Sequence, residues 1–90
     1  MAIVVFNQQN KENLNMLTHN SIWNAIDTLA TQSKMSVSRL AIKAGLDPTS
    51  FNKSKRTTKD GKDKWPSTET IAKILPIANV SFVEFAQLTE

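Results

Sequence analysis

Apolar positions recur with the period of an α-helix in residues 21–32. They share one face because they are neighbours or stand three to four residues apart: Ile22, Trp23, Ile26, Leu29 and Ala30. Asn20 or Ser21 can cap the start of such a helix, since a side-chain oxygen there accepts from free backbone N–H groups. We therefore predict a first helix over residues 21–32, with Trp23 in the core and Asp27 facing outward.

A second apolar stripe follows Ser36, a residue type that favours the N-cap position of a helix. Gly45 is expected to end this second helix, because glycine adopts the positive φ that a sharp turn requires. Leu46 is expected to fill the corner between this helix and the next. The inner face of the second helix is predicted to comprise Val37, Leu40, Ala41 and Ala44.

Residues 47–56 are predicted to form a short third helix of about two to three turns. Asp47 suits its N-cap, and Pro48 suits its first turn, where the N–H that proline lacks would have no helical partner. Phe51 is expected to face the core, with Ser54 beside it. The outward positions are then Thr49, Ser50, Asn52, Lys53 and Arg56.

A loop and a fourth helix are predicted next. Residues 57–64 contain the turn signal Asp60-Gly61. The fourth helix follows Ser67, and Pro76 is expected to end or kink it, because a proline inside a helix costs about 3 kcal/mol. The inner positions of this helix are predicted to be Ile71, Ile74 and Leu75.

A fifth helix is predicted at the C-terminal end, where Ser81 and Glu84 have the spacing of a capping box. Its inner positions are expected to be Phe82, Phe85 and Leu88. The five short helices predict an all-α domain over residues 20–90, preceded by an N-terminal arm over residues 1–19.

The arm contains Ile-Val-Val-Phe at residues 3–6, which has strand propensity. Two interpretations of it remain open. It is either a frayed terminus or a dimerising strand that pairs with a second copy of the chain, since an isolated strand needs a partner edge.

Composition narrows the class of protein. Ninety residues make one small domain, and the absence of cysteine excludes disulfides and thiolate zinc sites. No apolar run approaches the ~20 residues of a membrane span, and residues 3–6 are too short for a signal sequence. We therefore expect a cytoplasmic protein with no membrane partner.

The sequence gives little support for catalysis. His19 is the single histidine, and no cysteine or second histidine accompanies it in a metal site. No Ser–His–Asp partnership is visible, and Asp60-Gly61-Lys62 lacks the pattern of a phosphate-binding loop. We expect no enzyme activity, no cofactor and no metal, and we expect His19 to be solvated or helix-capping.

Positive charge is concentrated in the middle third of the chain. The net charge is only +3, yet residues 34–66 hold nine basic and three acidic residues, while the segments on either side are net negative. A charge run alone is more often a solvated surface. This one adjoins a capped helix pair, and a local positive field of that kind favours binding to nucleic-acid phosphates.

The predicted third helix carries side chains suited to double-stranded DNA. A recognition helix enters the major groove and presents donors and acceptors near its N-terminal end. Asn52 can make two hydrogen bonds to adenine, and Lys53 can donate to guanine. The Thr49 methyl group can contact a thymine methyl group, and Arg56 can reach a base or a phosphate.

Predicted phosphate contacts flank this helix. On one side Lys34 lies beside the start of the second helix, where Ser36, Val37 and Ser38 offer free N–H groups. The other side is formed by Lys55, Lys59, Lys62 and Lys64. Trp65 permits base stacking, but anchoring of the loop to the core is the favoured interpretation for it.

Three separated blocks carry a resemblance to a known family. They are Ile-Trp-Asn-Ala-Ile-Asp at residues 22–27, Gly-Leu-Asp-Pro-Thr-Ser-Phe-Asn-Lys-Ser-Lys-Arg at 45–56, and Trp-Pro-Ser-Thr-Glu-Thr-Ile-Ala-Lys-Ile-Leu at 65–75. Through these blocks residues 16–88 resemble the phage-repressor-like (lambda-repressor-type) helix-turn-helix domains of bacterial transcription regulators.

The resemblance implies a five-helix DNA-binding domain that works as a homodimer on an inverted-repeat operator. By motif position it implies base contacts at Pro48, Thr49, Asn52, Lys53 and Arg56. Relatives of this kind often continue into a LexA-like serine peptidase domain that dimerises. The resemblance leaves open whether this chain is the excised DNA-binding domain of such a protein or a stand-alone regulator.

The leading interpretation is a sequence-specific transcriptional regulator, a repressor, associated with the bacterial nucleoid in the cytoplasm. The alternative is a protein-interaction adaptor, antitoxin-like or anti-repressor, that uses the same fold to hold a protein partner. RNA binding is less well supported, because the aromatic platform of common RNA-binding modules is missing.

Overall fold

The computed structural model describes residues 16–90, which form four α-helices, a single 3₁₀ turn and no strand. Helix α1 is His19–Gln32, α2 is Val37–Lys43, α3 is Thr68–Ala78 and α4 is Phe82–Leu88, and the 3₁₀ turn is Lys53–Lys55. The all-α class is confirmed for this part of the chain, but the prediction of five helices is wrong. The arm residues 1–15, including the predicted dimerising strand, lie outside the described residues.

Helix α1 begins earlier than predicted, at His19 rather than Ser21. Thr18 is the N-cap: its hydroxyl oxygen accepts from the Ser21 N–H at 3.0 Å, and its own N–H donates to the Ser21 hydroxyl at 2.9 Å. This reciprocal capping box satisfies two backbone donors at once. That gain explains why the helix starts two residues before the predicted position.

The core is built around α1, against which α2 and α4 pack, while α3 packs on α2. All five positions of the predicted α1 stripe are buried, as the spacing indicated. The other large core side chains come from every later part of the domain: Leu40, Phe51, Ile71, Ile74 and Phe85. Val37, Ala44, Leu46, Leu75 and Leu88 are partly buried against them.

The predicted ends of α2 are confirmed. The Ser36 hydroxyl oxygen accepts from the Arg39 N–H at 3.1 Å, so Ser36 caps the helix. Gly45 has a φ of +78°, and the Leu46 N–H donates to the Ala41 carbonyl at 2.8 Å across the turn. A left-handed residue closed by such a bond is a common helix C-terminus, and it directs Leu46 back to the core.

The prediction of a third α-helix over residues 47–56 is wrong. The Asp47 carboxylate accepts from the Thr49 N–H at 2.8 Å, as an N-cap does, but the backbone that follows closes turns instead of an α-helix: the Ser50 N–H donates to the Asp47 carbonyl and the Asn52 N–H to the Thr49 carbonyl, each three residues back. Asn52 is extended, with φ −64° and ψ 149°, so no helix passes through it. Phe51 is nevertheless buried, as predicted, whereas Ser54 is exposed.

Helix α3 contains Pro76 and continues to Ala78, so of the two predicted effects of this proline, ending the helix is wrong. Pro76 lies in the last turn of α3. Because proline has no backbone N–H, it removes one helical hydrogen bond, but it does so near the helix end, where backbone groups already lack helical partners. The helix ends at Asn79, which is left-handed with φ 60°, and the Val80 N–H closes the end on the Leu75 carbonyl at 3.1 Å.

The predicted capping box of the last helix is present: the Ser81 hydroxyl oxygen accepts from the Glu84 N–H, and the Glu84 carboxylate accepts from the Ser81 N–H. Phe85 is buried, but Phe82 is 63% exposed, which contradicts its predicted inward position. Helical spacing identified the apolar residues, whereas the extent of the contact with α1 decides which of them are covered.

Within residues 16–90 no single helix is both long enough and apolar enough to cross a bilayer. Helices α3 and α4 taken together reach that length and apolar content, but they are bent by 102° at the break between them.

Candidate nucleic-acid interface

Residues 57–64 fold into a small hairpin-like loop between the 3₁₀ turn and α3. Thr57 and Asp63 form an antiparallel bridge, and the Thr58 N–H donates to the Lys62 carbonyl at 2.8 Å. The predicted Asp60-Gly61 turn is confirmed, because Gly61 has a φ of +85° and its N–H donates to the Thr58 carbonyl. We call this segment the basic hairpin, since it presents exposed side chains of Lys59, Lys62 and Lys64.

The base of the hairpin is fixed to α1 by two aromatic side chains. The Trp23 indole N–H donates to the Lys64 carbonyl at 3.0 Å. His19 Nε2 lies 2.7 Å from the Arg56 carbonyl and 3.1 Å from the Lys64 carbonyl. The prediction that His19 is solvated or helix-capping is therefore wrong: its side chain is 16% exposed, and it joins the two ends of the hairpin.

Arg56 is a second anchor. Its guanidinium donates two hydrogen bonds to the Asp27 carboxylate, at 2.7 and 3.1 Å, and another to the Phe51 carbonyl at 2.8 Å. The guanidinium also lies over the Trp23 ring, 4.7 Å from its centroid. Its side chain is only 12% exposed, so the prediction that Arg56 faces outward is wrong, whereas the Asp27 side chain is 39% exposed while it accepts from Arg56. Arg56 holds the domain together rather than facing a base.

The other predicted base-contacting residues, Pro48, Thr49, Asn52 and Lys53, are exposed. The Thr49 hydroxyl is already engaged, because it donates to the Asp47 carboxylate at 2.6 Å and accepts from Lys55 Nζ at 2.9 Å. Asn52 makes no side-chain capping bond to the 3₁₀ turn that follows it. Asn52 and Lys53 are therefore the two side chains of this group best placed to contact a partner.

One open cleft of about 410 Å³ brings predicted base-contacting and phosphate-contacting residues together. Its lining includes Asn52 and Lys53 together with Ser36 and Val37 from the start of α2, and the buried Phe51 is part of the same lining. We call this space the α2 cleft.

A second cleft, of about 280 Å³, also has Phe51 in its lining, together with Lys55, Lys64 and Trp65. We call it the Trp65 cleft. Trp65 is 46% exposed, so the favoured interpretation that it anchors the loop to the core is wrong; the buried Trp23 does so instead.

The remaining predicted phosphate contacts lie outside the linings of both clefts. Lys34 is exposed in the turn before α2, with a φ of +59°, and Ser38 is half-buried on α2. Lys59 and Lys62 lie on the hairpin, where Lys62 Nζ is 3.9 Å from the Asp60 carboxylate.

Electrostatics favour the ionised form of one acid at this surface. The Thr49 hydroxyl and backbone N–H both donate to Asp47, and Lys55 adds a nearby positive charge, so the pKa of Asp47 lies below its ordinary value. In residues 16–90 no three histidine, cysteine, aspartate or glutamate side chains are grouped to hold a metal ion. The groups that this surface offers to a partner are therefore ammonium cations, amides and hydroxyls.

A comparison of the chain with known protein families, curated proteins and solved structures found no match.

Proposed function

We propose that this protein binds double-stranded DNA in a sequence-specific way and acts as a transcriptional repressor at the bacterial nucleoid. In this proposal α2 and the turns that follow it, up to the 3₁₀ turn Lys53–Lys55, take the place that the helix-turn-helix has in a lambda-repressor-like domain. Two copies of the chain bind an inverted repeat, one on each half-site.

The observation that carries the proposal is the α2 cleft. Ser36 and Val37 at the start of α2 line it together with Asn52 and Lys53, so groups suited to phosphates and groups suited to base edges share one surface. The cations around this surface belong to the one segment of the chain with a strong positive excess. Counterion release from DNA phosphates makes such an excess a large source of affinity.

Each group has a distinct task in the complex. Asn52 pairs with an adenine edge, and Lys53 donates to a guanine edge, because the major groove displays those acceptors in distinguishable patterns. The start of α2, together with Lys34, Lys55 and the basic hairpin, holds the phosphates on either side. Arg56 leaves the base-reading set, since its guanidinium donates to Asp27 and Phe51.

The test of base reading is Asn52→Ala. Selection from genomic fragments followed by footprinting first identifies the operator. We expect Asn52→Ala to weaken binding to that operator by about 1–3 kcal/mol and to leave binding to random duplex unchanged, because a bidentate contact discriminates between bases. Fluorescence anisotropy at fixed salt measures both affinities.

Lys59→Gln is the matched control for this experiment, since Lys59 is also exposed but lies on the hairpin. It should weaken operator and random DNA by the same factor, because a phosphate contact carries no sequence information. Equal weakening of both DNAs by Asn52→Ala would show that Asn52 reads no base.

A second candidate function, the protein-interaction adaptor, is favoured by one observation. Phe82 and Val83, at the start of α4, are 63% and 66% exposed, and large exposed apolar side chains that lie together mark protein contacts. In that case no genomic fragment would be retained in a mobility-shift experiment even at low salt. Retention of a fragment with a protected inverted repeat would instead support DNA binding by two copies.

A further inference from the structure

The Trp65 cleft combines two lysines that the DNA proposal assigns to phosphates with a half-exposed indole that it leaves unused. Its lining includes two lysines, Lys55 and Lys64, and no acidic residue. The α2 cleft differs, because Asp27 is part of its lining. Asp47 lies near Lys55 but is not part of this lining, so the two lysines are the charged residues among those that line the cleft. A pair of cations in a concave site favours an anionic ligand.

The lysines retain hydrogen-bonding capacity for such a ligand. Lys55 Nζ donates to the Thr49 hydroxyl at 2.9 Å, which uses one of the three N–H donors of the ammonium group. Thr70, also in the lining, accepts from the Ser67 hydroxyl at 3.0 Å, so the Thr70 hydroxyl proton can turn toward the cleft. Two ammonium groups and a hydroxyl are a donor set that suits the oxygens of a phosphate.

The Trp65 side chain belongs to the same lining as these donors and gives the cleft an aromatic surface. Trp65 is almost half exposed, and its ring meets the His19 ring edge-on at a centroid distance of 6.0 Å. A half-exposed indole offers a stacking surface to a planar ring. The exposed Trp65 indole therefore favours a ligand with an aromatic group.

The cleft is formed before any ligand arrives. The Lys64 carbonyl is held by both Trp23 and His19, and the Lys64 N–H donates to the Arg56 carbonyl at 2.9 Å. Its volume of about 280 Å³ is near the lower end of the range for small-molecule sites, roughly 300–1,000 Å³. A ligand of mononucleotide size or smaller fits that volume.

We propose that the Trp65 cleft binds a small aromatic phosphate of the nucleoside monophosphate class. The base stacks on Trp65, and Lys55, Lys64 and Thr70 hold the phosphate. A further consequence rests on the proposed function: the bound phosphate neutralises two cations that otherwise face DNA, so the ligand lowers DNA affinity. By linkage, DNA must lower the affinity for the ligand by the same factor.

The binding test uses the full chain and AMP as the probe. Isothermal titration calorimetry should give a Kd of about 1 mM or tighter for AMP. The two indole N–H signals of the ¹⁵N-labelled protein, assigned with Trp65→Phe, report the position: the Trp65 signal should move far more than that of the buried Trp23. Failure of AMP to bind, or a shift confined to Trp23, would overturn the proposal.

Three variants and one control test the assignment. Lys55→Gln and Lys64→Gln should each weaken AMP binding about tenfold, because each removes a charge-assisted hydrogen bond. Trp65→Ala should weaken it about fivefold or more. Lys59→Gln changes the net charge equally but lies outside the cleft lining, and should change the affinity less than about twofold. Equal losses in Lys55→Gln and Lys59→Gln would show unspecific attraction.

All four side chains are exposed, so the variants are expected to fold, which circular dichroism checks. Inorganic phosphate and adenosine, titrated separately, establish whether both halves of the ligand contribute. Binding of adenosine as tight as that of AMP would contradict the role of the lysines. Binding of phosphate as tight as that of AMP would contradict the role of Trp65.

The regulatory consequence is tested by adding AMP to the operator complex. AMP should release DNA from the unaltered protein and have little effect on Trp65→Ala. Unchanged DNA affinity at saturating AMP would overturn the coupling. If the chain binds AMP with this variant pattern but retains no DNA, the proposed function fails while the ligand site stands.

Discussion

At the residue scale, Arg56 joins three parts of the domain through one planar group. Its guanidinium donates to Asp27 on α1 and to the Phe51 carbonyl, and it lies over the Trp23 ring. Lysine cannot replace it, because an ammonium group has no planar fork for a carboxylate and no flat face for an indole. One of the predicted DNA contacts is thereby engaged within the fold.

We expect Arg56→Lys to lower the free energy of unfolding by about 2 kcal/mol. The estimate is modest because the Asp27 side chain is 39% exposed, so water partly solvates the carboxylate once its partner is lost. Urea denaturation measures the change. Lys53→Ala, at an exposed neighbouring position, should stay within about 0.5 kcal/mol of the unaltered protein. Equal destabilisation by the two variants would contradict the anchoring role of Arg56.

Asp47 gives a second prediction at this scale, in the acid range. Its pKa is lowered in the folded protein, so its hydrogen bonds to Thr49 contribute stability that is complete above the ordinary aspartate pKa of about 3.9. That contribution is lost as the pH falls through the lower, folded-state value. Carboxyl-detected NMR titration should place the midpoint of Asp47 below the ordinary value. Thr49→Val, which removes the hydroxyl donor, should move the midpoint upward, and an unchanged midpoint would contradict the assigned cause.

At the scale of elements, the hairpin that carries Lys59, Lys62 and Lys64 has no apolar core of its own and depends on α1 for its position. His19 and Trp23 both bond the Lys64 carbonyl, and His19 also bonds the Arg56 carbonyl. A few polar contacts therefore hold the element that carries these charges. Such a segment opens locally more easily than the packed helices do.

His19→Ala should speed hydrogen exchange of the hairpin amides about fivefold, because the loss of a net contribution of about 1 kcal/mol favours local opening. The informative amides are those of Thr58 and Lys64, which donate within the hairpin. Asn20→Ala, at the next and exposed position of α1, is the control and should leave these rates unchanged. Uniform acceleration across α1 and α3 would indicate global destabilisation rather than release of the hairpin.

At the scale of the whole molecule, the exposed lysines set the expected salt dependence of DNA binding. Those assigned to DNA are Lys34, Lys53, Lys55, Lys59, Lys62 and Lys64. If each neutralises one phosphate, the slope of log affinity against log salt concentration is about −5.

Lys62→Gln should reduce the magnitude of that slope by about 0.9, whereas Arg56→Lys should leave it unchanged under conditions where the variant is folded. Anisotropy titrations between roughly 50 and 200 mM salt measure it. A slope near zero for the unaltered protein would contradict DNA binding driven by these lysines.

The sequence alone was sufficient for features that depend on neighbouring residues. The stripe of α1, the Ser36 and Ser67 caps, the positive φ of Gly45 and the Ser81 capping box all follow from side-chain chemistry within a few positions. Burial of Phe51 was also predictable, because a large apolar side chain between polar neighbours has few alternatives to the core.

Only the tertiary structure decided which polar side chains of the middle third are engaged within the domain and which are left exposed to a partner. His19 and Trp23 find hydrogen-bond partners 37 to 45 positions away, and Arg56 finds Asp27 at a distance of 29 positions. The extended backbone at Asn52 interrupts the predicted third helix, and the fold places Trp65 beside a cleft. The spacing of residues along the sequence cannot predict such partners, because they meet only when distant segments of the chain pack together.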